Sequence, residues 1–275
     1  MNQLGIEQLS LFGMPPVEQV RLAADLECPC IGIGLTRMNY CNPHGYPDWS
    51  LRNDPALRRD MVEATRDTGV RISIVEGFAI QPGRDVRGLA ADLDLVRELG
   101  GERINIVSID SDRARTFDGF AAVAEMADER GIQVTAEVGT MLSFAAALIA
   151  LRHVNRRNFR LLIDTMHYFR LGGSIAEFAA LDPTLVGYVQ LCDVPLVSTF
   201  ASYREEALYE RLAPGAGELP LAEFVRLIRP DVVVSLEIPQ RALAEAGQGP
   251  IERVSACVEA ARALLAAVNS SPQAN

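Results

Sequence analysis

The stretch QVTAEVGTMLSFAAALIALRHVNRRNFRLLIDTMH, residues 133–167, decides the fold. Two apolar runs that are too short for helices, at 133–139 and 160–167, flank a segment of helical period at 143–154. Both runs are nearly continuous in apolar residues, which favours burial of both strand faces in a parallel sheet over a half-exposed antiparallel strand. The stretch therefore predicts a strand, a helix and a second strand parallel to the first.

The same alternation extends over the whole chain of 275 residues. Strands are predicted at 6–12, 30–35, 71–78, 103–110, 133–139, 160–167, 187–192 and 232–239. Eight such units, each a strand followed by a helical segment, predict an α/β fold, a single-domain (β/α)8 TIM barrel over residues 1–268, with a flexible tail at 269–275. A doubly wound sheet is the alternative, and it is disfavoured because no G-x-G-x-x-G follows the first strand.

The composition excludes several classes of protein. All 26 basic residues are arginine, so Schiff-base aldolases, pyridoxal-phosphate enzymes and Walker-A nucleotide hydrolases, which need a lysine, are excluded. The net charge of −10 disfavours a nucleic-acid partner, because such binding draws on a basic surface. No apolar run approaches the ~20 residues that span a bilayer, so no membrane partner is expected.

The cysteines predict a reducing, cytoplasmic location. Their number is odd, and the chain begins without a basic and apolar leader. Cys28 and Cys30 resemble a metal-binding or redox pair only loosely, and the plainer interpretation is two small residues entering a buried strand. The five cysteines are Cys28, Cys30, Cys41, Cys192 and Cys257.

Polar residues end four consecutive strands, where the active site of a barrel lies. One such acid is often a helix cap or an arginine partner, but aligned carboxylates would repel one another unless a cation lay between them. Carboxylate and amide oxygens suit one divalent metal ion, with Mn²⁺ as first choice and Mg²⁺, Co²⁺ or Zn²⁺ as alternatives. The residues are Glu137, Asp164 with His167, Gln190 with Asp193, and Glu237.

These motifs resemble the xylose isomerase-like barrels, a superfamily of sugar isomerases and epimerases that includes dehydratases and endonuclease IV. The resemblance runs from Ile6 to about Val268 and is strongest in AEVG, IDTMH, VQLCD, PGAGELPLAEF and SLEIP. It implies that Arg211 and the D-x-x-H histidine His167 contact substrate. It also implies that the metal is bound by Glu137, Asp164, Gln190 and Glu237.

Two departures from the epimerase pattern bear on the reaction. Gln190 stands where the epimerases have histidine, and it keeps an oxygen donor of similar reach. A glutamine here resembles the 3-dehydroshikimate dehydratase branch. The second glutamate that the epimerases carry after the residue matching Glu137 is missing from GTMLSF. A dehydratase is therefore a serious alternative.

We predict a metal-dependent isomerase or epimerase of a small polyhydroxy ketone, a keto-sugar or cyclitol. Glu137 or Glu237 removes the proton α to the metal-bound carbonyl, and His167 serves as acid. Glu76 and Asp193 are further candidates for substrate contact. The alternative is a metal-dependent lyase of the 3-dehydroshikimate or inosose dehydratase type.

Two other classes share the barrel. A nuclease requires a metal cluster rich in histidine and a basic face, which three histidines and the acidic net charge oppose. A barrel that only binds sugars is expected to have lost some metal-site residues, whereas all the positions are filled here. Homo-oligomers formed through the loops over the site are typical of such barrels.

Overall fold

The eight strands form one closed parallel barrel in a computed structural model that describes residues 2–139 and 141–270. Each strand pairs with the next in chain order, and the last pairs with the first through Gly5 and Ser235. The strands are β1 (Leu4–Glu7), β2 (Cys30–Gly34), β3 (Arg71–Ile80), β4 (Arg103–Ser108), β5 (Gln133–Val138), β6 (Phe159–Asp164), β7 (Val186–Leu191) and β8 (Val234–Leu236). The predicted (β/α)8 barrel is confirmed.

Helices connect the strands and cover the outside of the barrel. They are α1 (Pro16–Asp25), α2 (Pro55–Thr68), α3 (Ala90–Glu98), α4 (Arg113–Asp128), α5 (Phe144–Val154), α6 (Thr165–Arg170), α7 (Ile175–Ala179), α8 (Tyr203–Tyr209), α9 (Leu221–Arg226), α10 (Arg241–Glu245) and α11 (Pro250–Ser270). Asp54, Asp112 and Ser143 cap α2, α4 and α5 through their side chains. No helix in the described ranges is long and apolar enough to cross a membrane.

The main apolar core lies between the barrel wall and these helices. Strand residues such as Ile31, Ile104 and Leu161 are fully buried, and they pack with helix residues such as Val96 and Phe120. Burial of every residue of β1, β2 and β7 explains their nearly continuous apolar sequences. The strands are held in register by packing on both sides, which fixes the positions of their carboxyl ends.

The structure differs from the prediction at both ends of the chain. The first strand ends at Glu7 instead of residue 12, because the chain turns into a 3₁₀ helix at Gln8–Leu11, where the Gln8 side chain accepts a hydrogen bond from the Gly34 N–H. The last helix continues to Ser270, two residues into the predicted tail. The rest of that tail, 271–275, lies outside the described residues.

Candidate active site

The polar strand ends meet around one cavity at the carboxyl end of the barrel. The cavity has a volume of about 490 Å³, and its lining includes Glu76, Glu137 and Glu237. Asp164 and Gln190, at the ends of β6 and β7, are 0% and 1% exposed and lie among these groups. The structure therefore brings together all four residues that the sequence predicted as metal ligands.

Two amide side chains link the three glutamates. Asn105 Nδ2 donates to Glu76 Oε2 at 3.0 Å and to Glu137 Oε2 at 2.8 Å. Gln190 Nε2 donates to Glu76 Oε1 at 3.0 Å and to Glu237 Oε1 at 3.2 Å. Each amide thus bridges two carboxylates from different strands, and Asn105, in the middle of β4, is a site residue that the sequence analysis missed.

Arg211 connects the remaining carboxylate, Asp164, to Glu237. Its Nη1 lies 2.5 Å from Asp164 Oδ2 and 2.9 Å from Glu237 Oε2, and its Nε donates to the Ala207 carbonyl at 2.9 Å. Arg211 is 2% exposed. Burial raises the pKa of Asp164, but the charges of Arg211 and His167 and the hydrogen bonds from both residues together outweigh this and hold the pKa below its usual value. The guanidinium therefore lines the cavity while it compensates two buried carboxylates.

His167 closes the connection between Asp164 and Glu137. Asp164 Oδ1 caps α6 by accepting from the His167 N–H at 2.8 Å, and this places His167 in the first turn of the helix. Its Nε2 lies 3.3 Å from Glu137 Oε1. The contacts form a closed circle, which we call the polar ring, made of Glu137, Asn105, Glu76, Gln190, Glu237, Arg211, Asp164 and His167.

Tyr203 holds the imidazole of His167 from the other side. Its Oη lies 2.5 Å from His167 Nδ1, and the two rings stack with centroids 5.5 Å apart. Tyr203 begins α8 in the long segment between β7 and α9. The residue itself was missed, because nothing in the local sequence shows which side chain of that segment reaches His167.

Tyr203→Phe is expected to lower kcat about fivefold, because it removes one hydrogen bond worth ~1 kcal/mol to His167 and keeps the stacked ring. KM is expected to change less, since Tyr203 acts through His167. Steady-state kinetics check this. Tyr209→Phe, in the same helix, removes a hydroxyl that donates to the Tyr40 carbonyl and is the control. Equal losses in both variants would count against the positioning role.

Asp193 does not take the place predicted for it. Its Oδ1 accepts from the N–H groups of Val194 at 2.9 Å and Leu219 at 3.1 Å, and its Oδ2 accepts from the Gly215 N–H at 2.9 Å. A carboxylate with three backbone donors and 1% exposure has no free edge for a substrate. The prediction of substrate contact is corrected to a structural role, in which Asp193 holds the loop that carries Arg211.

Glu7 is a buried acid of the cavity that the sequence analysis also missed. Its Oε1 accepts from Tyr188 Oη at 2.8 Å, and Oε2 has no hydrogen-bond partner among the described residues. Burial raises the pKa of Glu7 to about 7. The space for this carboxylate exists because residue 32 is glycine, whose added Cβ would lie 1.7 Å from Glu7 Oε2. The available signal was an acid in a strand of buried residues.

The polar ring holds four carboxyl groups against one guanidinium, so its negative charge with all groups ionised would exceed its positive charge. Burial raises the pKa of Glu76 well above its usual range, with Glu137 and Glu7 adding to the effect. Burial also raises the pKa of Glu237 well above its usual range, although Arg211 opposes the change. A divalent cation would offset this charge, and the oxygen-rich donor set suits Mn²⁺ or Mg²⁺.

The ring residues supply oxygen donors that suit such an ion, but holding it requires several of their side chains to turn towards one point. As the side chains stand, residues 2–139 and 141–270 contain no group of three or more His, Cys, Asp or Glu that could hold a metal. Gln190 turns its amide nitrogen to Glu76 and Glu237. Rotation of this amide by 180° would place Oε1 where Nε2 now lies. The rotation is sterically allowed because the two groups have nearly the same size and shape.

An eight-stranded barrel with acidic residues at successive carboxyl ends has the architecture of a TIM-barrel enzyme. Residues 20–264 match the model of the xylose isomerase-like TIM barrel family, and the chain belongs to that family. The resemblance inferred from the strand-end motifs is thereby confirmed.

Individual relatives are more distant. The chain is 26% identical to a 3-dehydroshikimate dehydratase of Pseudomonas aeruginosa over 183 residues, which cover 61% of this chain and 28% of that longer protein. The IolI protein, solved with a bound zinc atom, has a TM-score of 0.74 at 16% identity and covers 98% of both chains. L-ribulose 3-epimerase has a TM-score of 0.65 at 16% identity, with both chains fully covered. The two solved structures support the fold.

Proposed function

We propose that this protein is a metal-dependent enzyme that removes the proton α to the carbonyl of a small polyhydroxy ketone and then eliminates water. The observation that carries the proposal is the contact between Glu137 and His167, which places a carboxylate base beside an imidazole acid at the cavity. Gln190, through its resemblance to the dehydratase branch, and the 26% identical dehydratase support elimination as the outcome.

The metal is part of the proposal. Glu137, Asp164, Gln190 and Glu237 would hold one divalent ion, with Mn²⁺ as first choice. When bound, this ion supplies positive charge that polarises the carbonyl and stabilises the enolate oxygen. The IolI protein, a relative in fold, was solved with a bound zinc atom, and this supports the inclusion of a metal in the proposal.

Glu137 is the better placed of the two candidate bases. Its Oε2 is held by Asn105, and its Oε1 lies 3.3 Å from His167 Nε2, which can take up the α-proton once it has given its own proton to the departing oxygen. Glu237 is instead bound by Gln190 and by Arg211, which occupy both of its oxygens. We therefore assign the α-proton to Glu137.

His167 completes the elimination. In its doubly protonated form, His167 carries a proton on Nε2 for the departing oxygen, while its Nδ1 shares a proton with Tyr203 Oη. The C–H bond breaks to Glu137, its electron pair forms the new C=C bond, and the C–O bond to the β-hydroxyl breaks as His167 protonates the departing oxygen. Glu137 then returns a proton to His167, so the net products are the unsaturated ketone and one water.

A two-base epimerisation is the second candidate. Glu137 and Glu237 both line the cavity, from strands that lie three positions apart in the barrel. Two carboxylates on different sides of a bound ketone are what proton removal from one face and return to the other require. Epimerisation and elimination both begin with removal of the α-proton. In epimerisation a proton then returns to the other face of the ketone, whereas in elimination the β-hydroxyl leaves as water.

The test is incubation with 3-dehydroshikimate, inososes and candidate ketoses in D₂O with added Mn²⁺, followed by proton NMR. We expect loss of a hydroxyl, with new vinyl or aromatic signals. Deuterium incorporation without loss of water would instead establish the epimerase or isomerase. No reaction with any of these substrates, by a protein that retains one bound metal per chain, would contradict the proposal.

We also propose a reducing, cytoplasmic location and homo-oligomer formation through the loops over the site. All five cysteines are free thiols, and four of them are buried, which supports the location.

Exposed apolar residues support an interface between copies of the chain. Leu196 and Val197, in the segment after β7, are 61% and 79% exposed.

A further inference from the structure

Two arginines face the carboxylates across the mouth of the barrel. Arg37 and Arg52 lie in the segment between β2 and α2, and both line the cavity that Glu137 and Glu237 line. In the closed strand order, β2 is four positions from β6, so the arginines and Asp164 lie on opposite sides. The cavity therefore has an acidic side, the polar ring, and a basic side.

We propose that Arg37 and Arg52 bind an anionic group of the substrate, a carboxylate or a phosphate. The proposal rests on the proposed function and narrows its substrate class to polyhydroxy ketones that carry a negative charge. Guanidinium groups suit both anions, because their planar N–H donors match two oxygens at once. Binding of this anion at Arg37 and Arg52 would leave the carbonyl end of the substrate to reach Glu137 on the other side of the cavity.

Arg37 is held in place by packing. Its side chain is 16% exposed and lies across Gly13, where an added Cβ would be 2.8 Å from Arg37 Cγ. Gly13 also has a φ of 82°, which other residues rarely adopt. Packing at Gly13 therefore restricts the aliphatic part of the Arg37 side chain.

The ion pair of Arg37 is easily exchanged. Arg37 Nε donates to Asp48 Oδ1 at 2.7 Å, and the Asp48 side chain is 85% exposed. Ion pairs with such an exposed partner contribute little to stability, since water and salt screen them. An anion inside the cavity, where screening is weaker, competes favourably with Asp48 for the same donors.

Arg52 is oriented by a two-point contact that leaves part of its guanidinium available. Its Nε and Nη2 each lie 2.8 Å from one oxygen of Asp92 in α3. Within residues 2–139 and 141–270, its Nη1 has no hydrogen-bond partner. Arg52 also lines the adjacent cavity of about 410 Å³, so it lies where the two cavities meet.

The test measures binding, without turnover, in the Mn²⁺-loaded protein by isothermal titration calorimetry. The probes are quinate for a carboxylate, myo-inositol 1-phosphate for a phosphate and myo-inositol as the uncharged ring. We expect at least one anionic probe to bind about tenfold or more tightly than myo-inositol, because hydrogen bonds to charged groups are worth ~1.5–3 kcal/mol. The anionic probe that binds more tightly shows whether the site prefers a carboxylate or a phosphate.

Two substitutions in the same ion pair separate a binding role from a structural one. Arg37→Gln is expected to weaken the anionic probe about tenfold and to leave myo-inositol unchanged. Asp48→Asn is expected to leave anion binding unchanged or severalfold tighter, because it removes the competing carboxylate. Arg66→Gln, at an exposed arginine of α2, is the matched control and is expected to have no effect.

The proposal is overturned if charged and uncharged probes bind alike, or if Arg37→Gln and Asp48→Asn weaken binding equally. It is also overturned if Arg66→Gln reproduces the loss, since that would show a general charge effect. Anion selectivity that depends on Arg37, in a protein that neither exchanges nor dehydrates any ketone, would support this site and contradict the proposed reaction. Turnover of uncharged ketones alone would support the proposed reaction and contradict the anion site.

Discussion

Glu137→Gln is expected to lower kcat about 10²–10⁴-fold, because glutamine keeps the shape of the side chain and cannot accept the α-proton. The Asn105 contact at Glu137 Oε2 is with an oxygen that glutamine retains, so the fold is expected to be unchanged. The measurement is the rate of deuterium incorporation from D₂O into the bound ketone, together with steady-state turnover. Both rates should fall together, since they share the proton-removal step.

Three comparisons make the result decisive. Glu63→Gln, at an exposed glutamate of α2, is the matched control and is expected to keep full activity. Glu237→Gln is expected to reduce turnover by weakening metal binding, because it removes the negative charge of one proposed ligand, and added Mn²⁺ should restore part of the turnover. If Glu237→Gln abolishes exchange and Glu137→Gln does not, the base is Glu237. If both variants keep full activity, the proposed site is wrong.

The barrel was readable from the sequence because its strands are buried on both faces. That burial makes each strand a short, nearly continuous apolar run, and the run stops where the strand reaches the cavity, as at Glu137 and Asp164. A local pattern of this kind needs no knowledge of partners. The first strand was extended too far because residues 8–11 remain buried, with an apolar pattern, in a 3₁₀ helix.

The missed residues depend on contacts between distant parts of the chain. Asn105 reaches the site only because β4 lies beside both β3 and β5, so its amide bridges Glu76 and Glu137. The position of Tyr203 depends on how a long segment folds over the barrel. Asp193 was misjudged for the same reason, since backbone donors from the following loop fill its carboxylate.

Arg211→Met is expected to lower the free energy of unfolding by about 3–5 kcal/mol at pH 8 in EDTA, because it leaves two buried carboxylates without their cation. Arg211 helps to hold the pKa of Asp164 below its usual value, so this stabilisation is present above pH ~3.8 and is lost as pH falls through the lower, folded-state pKa. In the variant, Asp164 and Glu237 avoid the penalty at pH 5 by retaining protons. The loss should therefore be larger at pH 8 than at pH 5.

Urea unfolding at both pH values measures this difference, and Arg66→Met, at an arginine with a 70% exposed side chain, is the control that should change stability little. The double variant Arg211→Met/Asp164→Asn should recover part of the loss at pH 8, since one of the uncompensated charges is gone. An equal loss at both pH values would show that Arg211 acts through packing alone. Recovery by Asp164→Asn would instead establish that the guanidinium stabilises the site through the carboxylates that it lies between.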